Sequence, residues 1–289
     1  MITPIISQEI QALMRPNEAD HVLVVLWLHG RSANTKRAYL SDVDRLFAHI
    51  DNKPLAGMTL ADLQSFADSL TGEASTRGRT IAAVKSLLSF GQRIGMLKFN
   101  VGAALQKPKS RDTLADRILD EPTVQRLLAV AEGRDHAILR VLYAAGLRVS
   151  EAASLRWSDV HDADDGGAFL IVFGKGGKTR SVRVSAATAA VIRAERGDAH
   201  DEAPVFRGRA GEPLTASSLW RIVRRAARAA GITRAVSPHC LRHAHASHAL
   251  DRGALLTVVR DTLGHSSIAV TDRYVHARPG DSSSLSLAV

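Results

Sequence analysis

The residues best suited to chemistry lie in the second half of the 289-residue chain. His239 and Arg242 stand three apart in a stretch that reads as a helix, so an imidazole and a guanidinium share one face and can address one ligand. Arg148 follows Gly146 at a helix junction and can bring a second guanidinium from another element. A guanidinium is a planar fork that matches two phosphate oxygens. Two of them around one phosphate stabilise the negative charge that builds up when a phosphodiester is attacked. Tyr274 then makes sense as the attacking group. Its hydroxyl, with a reference pKa of about 10, is mostly protonated at neutral pH and needs either a cationic site or a base. Lys175, Lys178 and Arg180 lie in or beside a glycine-rich turn, where a lysine gives up a proton to a departing oxygen more readily than an arginine does. Each of these side chains alone reads as a surface or capping group; it is their joint chemistry that points to phosphoryl transfer.

The histidines between His239 and His276 raise a different possibility. His239 and His243 are four apart and His245 and His248 three apart, both same-face spacings that zinc sites use. No glutamate separates them as in a His-Glu-x-x-His protease, so we expect no metal and no other cofactor, with His243 and His248 serving as helix-packing groups.

Four ordered segments resemble the tyrosine recombinases (the phage integrase family), and in particular its short Xer-like members. LYAAGLRVSEAASLRWSDV (142–160) is similar to the family's first arginine box, and GKGGKTRSVRV (174–184) to its hairpin. SPHCLRHAHASH (237–248) is similar to its His-x-x-Arg box and LGHSSIAVTDRYVH (263–276) to its last box. The resemblance implies that Arg148 and Arg242 clamp the scissile phosphate and that Glu151 supports the site. It further implies that Lys175 protonates the departing 5′ oxygen, that His239 is a proton-transfer partner, that His265 hydrogen-bonds the phosphate and that Tyr274 is the nucleophile. More loosely, SANTKRAYLSDVDRL (32–46) resembles the opening of the family's core-binding domain. Cys240, His245 and Arg273 depart from the residue types usual at their positions without removing a catalytic group. The implied activity is site-specific recombination through a 3′-phosphotyrosyl intermediate. The implied partner is double-stranded DNA with inverted-repeat half-sites, bound by a tetramer on paired sites, alone or with a related recombinase. A catalytically silent DNA-binding regulator and a type IB topoisomerase are the alternatives.

A site drawn from four separate segments needs a scaffold, and the sequence predicts a mainly α one. Two helices fit 18–49; the first is nearly all apolar from Val22 to Leu28 and so reads as buried on every side. Further helices fit 60–70 and 75–94, with a short one at 101–105. These make a helical N-terminal core-binding domain over residues 1–106. Residues 107–118 mix Lys107, Pro108, Lys109 and Arg111 without apolar periodicity, which reads as a linker. A mostly helical C-terminal catalytic domain follows over 119–289, opening with Asp120 as a cap and Pro122 in the first turn. Within it FLIVF (169–173), GKGGK (174–178) and SVRV (181–184) predict a hairpin, hence a small antiparallel β-sheet. Helices are predicted again at 186–196, 216–230, 239–251, 255–263 and 267–276. The tail that follows holds Leu285, Leu287 and Val289 after a serine run, and the resemblance implies that it docks on a neighbouring subunit.

Composition agrees with a nucleic-acid partner. The net charge is +9 at pH 7 and, divided at residue 110, the two parts carry +4 and +5. Helix 216–230 concentrates Arg221, Arg224, Arg225 and Arg228, and we expect it at the DNA; Lys36, Arg37, Arg79 and Lys85 are the candidates in the first domain. Cys240 is the single cysteine, which excludes an intramolecular disulfide and a cysteine-based metal site. The longest apolar run is far short of the about 20 residues that span a bilayer, and the N-terminus has no basic stretch leading an apolar one. A cytoplasmic protein is expected.

Overall fold

The computed structural model describes residues 18–106, 114–174, 177–208, 210–265 and 267–276. The chain divides near residue 111 into two compact units, each with its own core. In the first, α1 (Glu18–Leu28), α2 (Ala33–His49), α3 (Leu60–Ser69) and α4 (Ala74–Arg93) enclose Leu23, Trp27, Leu46, Phe66, Val84 and Leu87. Helix α2 begins at Ser32, whose hydroxyl accepts the Thr35 N–H, and α3 at Thr59, which forms a reciprocal capping box with Asp62. The expectation that α1 is buried on every side does not hold. Val22 and Leu26, four apart and hence on one face, are exposed, because α1 lies at the edge of the cluster and only its Leu23, Val24, Trp27 and Leu28 side enters the core. The short segment at Val101–Ala103 is a 3₁₀ turn rather than an α-helix.

The second unit opens with one helical turn, α5 (Leu114–Arg117), inside the stretch read as linker; Leu114 is buried there. Helices α6 (Glu121–Ala129), α7 (Gly133–Ala144) and the short α8 (Val149–Ser154) follow, and Asp120 caps α6 by accepting the Thr123 N–H. Next come three antiparallel strands, β1 (Val160–Asp162), β2 (Ala168–Phe173) and β3 (Thr179–Val184), in the order β1-β2-β3. Leu170 pairs with Val182 and both are buried, so the predicted hairpin turns its apolar face into the core of this unit. The chain continues through α9 (Ala186–Arg193), α10 (Ala216–Ala229), α11 (Pro238–Asp251), α12 (Leu256–Leu263) and α13 (Ile268–His276). A large core gathers Ile138, Leu142, Trp157, Leu170, Phe206, Leu219 and Leu241. A smaller one joins Leu114, Ala246, Leu250, Val259, Leu263 and Tyr274. None of the helices among the described residues is long and apolar enough to cross a membrane.

Candidate active site

Arg148 occupies the cap position at the start of α8, with an extended backbone. Glu151, three residues on, accepts the Arg148 backbone N–H at 2.8 Å, and its other oxygen accepts Nη1 of the Arg148 side chain at 2.7 Å. From β3, Arg180 closes a two-pronged pair on the same carboxylate at 3.0 and 2.8 Å and donates its Nε to the Thr262 carbonyl at 2.7 Å. Glu151 is only 4% exposed. Burial alone would raise its pKa, but the hydrogen bonds from Arg180 and Arg148 outweigh that and hold it at about 2. It is therefore a fixed anion whose work is to orient two guanidinium groups.

Arg242 reaches the same place from α11. Its Nη1 donates to the Gly146 carbonyl at 2.6 Å and its Nη2 to the Leu263 carbonyl at 2.5 Å, so it ties the turn before Arg148 to the end of α12. Burial, with Arg148 next in weight, lowers its pKa to about 10, which leaves it charged at neutral pH. Gly264 ends α12 in the left-handed conformation, φ +63°, and its carbonyl accepts Arg148 Nη2 at 3.3 Å. Arg148 and Arg180 thus share one carboxylate, Glu151, and Arg242 joins the cluster through the Gly146 and Leu263 carbonyls. Three guanidinium groups against one carboxylate leave two positive charges in excess, one more than a phosphodiester carries, which suits the second negative charge it gains as it is attacked. Beside them a cavity of about 630 Å³ is lined by Arg148, Lys178, Thr179, Asp261, Gly264 and His265.

Tyr274 lies in α13, 3% exposed, its ring against the smaller core. Burial raises its pKa, while Arg242 and Arg273 act the other way. Its hydroxyl meets His243 Nδ1 at 2.6 Å. His265 lies parallel to the tyrosine ring at 6.4 Å between centroids and bonds Thr271 Oγ1 through Nδ1 at 2.8 Å. His239 stands 6.4 Å from the His243 ring. Burial foremost, then neighbouring arginines, lowers the pKa of His239 and brings that of His265 to about 4, so both rings are neutral at pH 7.

The structure thus brings Arg148, Glu151, His239, Arg242, His265 and Tyr274 into one neighbourhood. Lys175 lies outside the described residues, as does the tail after His276. Lys178 lines the cavity, whereas Arg180, weighed as a proton donor, is spent on Glu151 and Thr262. Sequence reasoning missed two participants, Arg180 as the second partner of Glu151 and His243 as the partner of Tyr274. Among the described residues no group of three or more His, Cys, Asp or Glu is placed to hold a metal ion.

Of the basic residues expected at DNA, Arg221, Arg224 and Arg225 are exposed on α10. Arg224 stacks on the Trp220 ring at 4.8 Å, Arg225 pairs with Asp135, and Arg221 bonds Ser218 at 3.2 Å. Lys36 and Arg37 lie on the first turn of α2, with Arg37 exposed. Arg79 makes a two-pronged pair with the buried Asp42, and Lys85 donates to the carbonyls of Ala103 and Leu105. Both of these have an intramolecular use.

Comparison with known proteins gives a consistent set of relatives. The Phage integrase family matches residues 117–280, and the Phage integrase N-terminal SAM-like domain matches residues 24–94. Tyrosine recombinase XerC of Mycobacterium bovis (strain BCG / Pasteur 1173P2) is 35% identical over 274 residues, covering 86% of this chain and 89% of its own. Tyrosine recombinase XerD of Chlorobaculum tepidum is 34% identical over 265 residues, covering 85% and 86%. Among solved structures, a lambda integrase (75–356) dimer bound to a COC′ core site superposes with a TM-score of 0.75 at 18% identity, over 91% of this chain and 95% of that one. A lambda integrase tetramer bound to a Holliday junction gives 0.72 at 18% identity, over 88% and 75%. At those identities the structural matches show a shared fold.

Proposed function

This chain belongs to the phage integrase family of tyrosine recombinases, and we propose that it is a site-specific recombinase that cuts and rejoins DNA through a 3′-phosphotyrosyl bond on Tyr274. The observation that carries this reading is the cluster of Arg148 and Arg180 on the Glu151 carboxylate with Arg242, anchored on the Gly146 and Leu263 carbonyls, and a buried tyrosine hydroxyl in the same neighbourhood. Arg148 and Arg242 hold the scissile phosphate and stabilise the charge that grows on it during attack. Glu151 keeps Arg148 in place. His265 and His239 act as hydrogen-bond and proton-transfer partners of the phosphate, and Lys175 protonates the departing 5′ oxygen. With arginines supplying the positive charge, no step needs a metal.

The first domain, residues 1–106, grips double-stranded DNA together with the arginine face of α10 in the catalytic domain, 119–289; the stretch 107–118 joins the two domains, and its α5 turn packs with the second. Lys36, Arg37, Arg221, Arg224 and Arg225 are the contacts we favour, ahead of Arg79, which is held by the buried Asp42, and Lys85, which is held by two backbone carbonyls. Two inverted half-sites make one core site, and four subunits join two such sites. The lambda integrase tetramer on a Holliday junction supports that assembly by shared fold.

The test starts with a site recovered by selection from a DNA fragment library. Two copies on a supercoiled plasmid are incubated with the protein in chelator. Exchange of the flanking segments is the expected result. Relaxation without exchange would instead support a topoisomerase, and binding with neither reaction a silent regulator.

A further inference from the structure

The proton on a tyrosine nucleophile must go somewhere as its oxygen attacks, and the side chain that contacts this hydroxyl directly is His243, four residues beyond His239 of the His-x-x-Arg pair. Arg242 and His239 lie at i and i−3 on α11, on the side of the arginine cluster. His243, one residue after Arg242, turns instead toward α13, where its Nδ1 lies 2.6 Å from Tyr274 Oη. The two rings are tilted at 43° with centroids 5.7 Å apart, so the contact runs through the heteroatoms and not ring on ring. No hydrogen bond joins His239 to Tyr274 among the described residues. On its other side the His243 ring borders a cavity of about 620 Å³, shared with Arg117, Trp220, Arg224, His239 and Cys240, through which a proton can pass to solvent.

We propose that His243 is the general base for Tyr274, a further catalytic residue beyond the set that the family boxes supply; this deepens the reading of Tyr274 as nucleophile and rests on it. In the forward step the Oη lone pair forms the bond to phosphorus, the Oη proton passes to His243 Nδ1, and the bond from phosphorus to the 5′ oxygen breaks. The departing oxygen takes its proton from the hairpin side of the site. Rejoining runs the same transfers backwards, with imidazolium at His243 returning the proton to the tyrosine.

The surroundings decide the protonation state and the timing. Burial first, then His239, Arg117, Arg242 and Arg273, lowers the His243 pKa to about 4, so the ring is neutral at pH 7 and has a lone pair to offer. These same groups, with His265, Tyr274 and, across the adjoining cavity, Arg224 of α10, are charged and titratable neighbours that face it from its own helix, from α5, from α10 and from the α12–α13 segment. Burial raises the Tyr274 pKa at the same time. Proton transfer ahead of attack is therefore unfavourable, and the proton leaves only as the oxygen–phosphorus bond forms. Burial is the larger cause and stays, but a bound phosphate adds negative charge among the arginines and offsets part of their smaller repulsive effect on His243.

Single-turnover cleavage of a nicked duplex carrying the selected site separates this role from a packing role. His243→Asn places an amide oxygen near the Nδ1 position, so it can hold the tyrosine hydroxyl but cannot take its proton. Cleavage should fall by roughly 10²- to 10⁴-fold, the usual share of general acid–base catalysis, while half-site binding is retained. Replacing Tyr274 with a ring-fluorinated tyrosine, whose hydroxyl is already ionised near neutral pH, should restore most of that loss in His243→Asn and leave a His239→Asn variant unrescued. As a second readout, added imidazole should rescue His243→Ala through the adjoining cavity, and measurement needs only the folded fraction that binds the half-site. Wild-type cleavage by His243→Asn, or a loss that neither fluorination nor imidazole repairs, overturns the proposal. If the wild-type chain forms no adduct either, it is the reading of Tyr274 that has failed.

Discussion

Without the buried Glu151 carboxylate, the half-buried Arg148 and the more deeply set Arg180 would face each other with nothing between them. Glu151→Ala should therefore cost about 3–5 kcal/mol of stability, the range for breaking a buried ion pair by removing one partner. Urea unfolding measures it, and cleavage should be lost with it because Arg148 no longer has a fixed orientation. The pH dependence is specific. A carboxyl with an ordinary value of 4.5 held at about 2 in the folded protein stabilises fully above pH 4.5 and loses that contribution as pH falls toward 2. The stability gap between wild type and Glu151→Ala should narrow across that window. A gap of constant size would mean that Glu151 acts through packing and not through charge. The carboxylate was legible in the sequence through its box, whereas its second partner was not, since Arg180 lies 29 residues away on another element.

At the scale of elements, four segments meet because turns and helix ends put their carbonyls within reach of the arginines. Gly146 is the tightest point. Its φ is +60°, and a Cβ there would lie 2.7 Å from Leu263 and 2.9 Å from His245. Gly146→Ala should cost about 1–2 kcal/mol for the left-handed backbone and about 1–3 kcal/mol more for overpacking, with cleavage reduced because Arg242 is anchored on the Gly146 carbonyl. A thermal-unfolding midpoint unchanged from wild type would contradict this. The hairpin was predictable from FLIVF and SVRV, and a closer use of its period would have gone further. Alternation places Arg180 on the inward face with Val182 and Val184, and a charge aimed inward needs a partner. Helical spacing groups His243 with packing residues by face but says nothing of what α13 brings opposite it. The turn at 114–117 is not legible in the sequence because four residues are too few to show a period, and what secures it is the burial of Leu114 in the core around Tyr274.

For the whole molecule, the neutral histidines set a limit on acid stability. Burial foremost holds His243, His245 and His265 at about 4 in the folded chain, against an ordinary 6.5. The unfolded chain binds those protons first, so stability present above pH 6.5 is lost progressively as pH falls toward 4. Unfolding at pH 5 should need less urea than at pH 7. His245→Asn, which can still donate to the Tyr143 carbonyl that His245 bonds at 2.8 Å, should lessen that dependence. Equal midpoints at the two pH values would contradict it. Overall charge and the four boxes made the class of partner legible, but which arginines touch DNA was not, because phosphate and base contacts use the same residue types. The central claim is that Tyr274 attacks DNA, and the covalent adduct tests it most directly. A nicked duplex carrying the selected site is incubated with the protein, and the trapped complex is digested and its peptide sequenced. The account predicts a 3′-phosphate joined to Tyr274, and no adduct from Tyr274→Phe although that variant binds the site as tightly as wild type. An adduct on another residue, on a 5′-phosphate, or one that persists in Tyr274→Phe would contradict it.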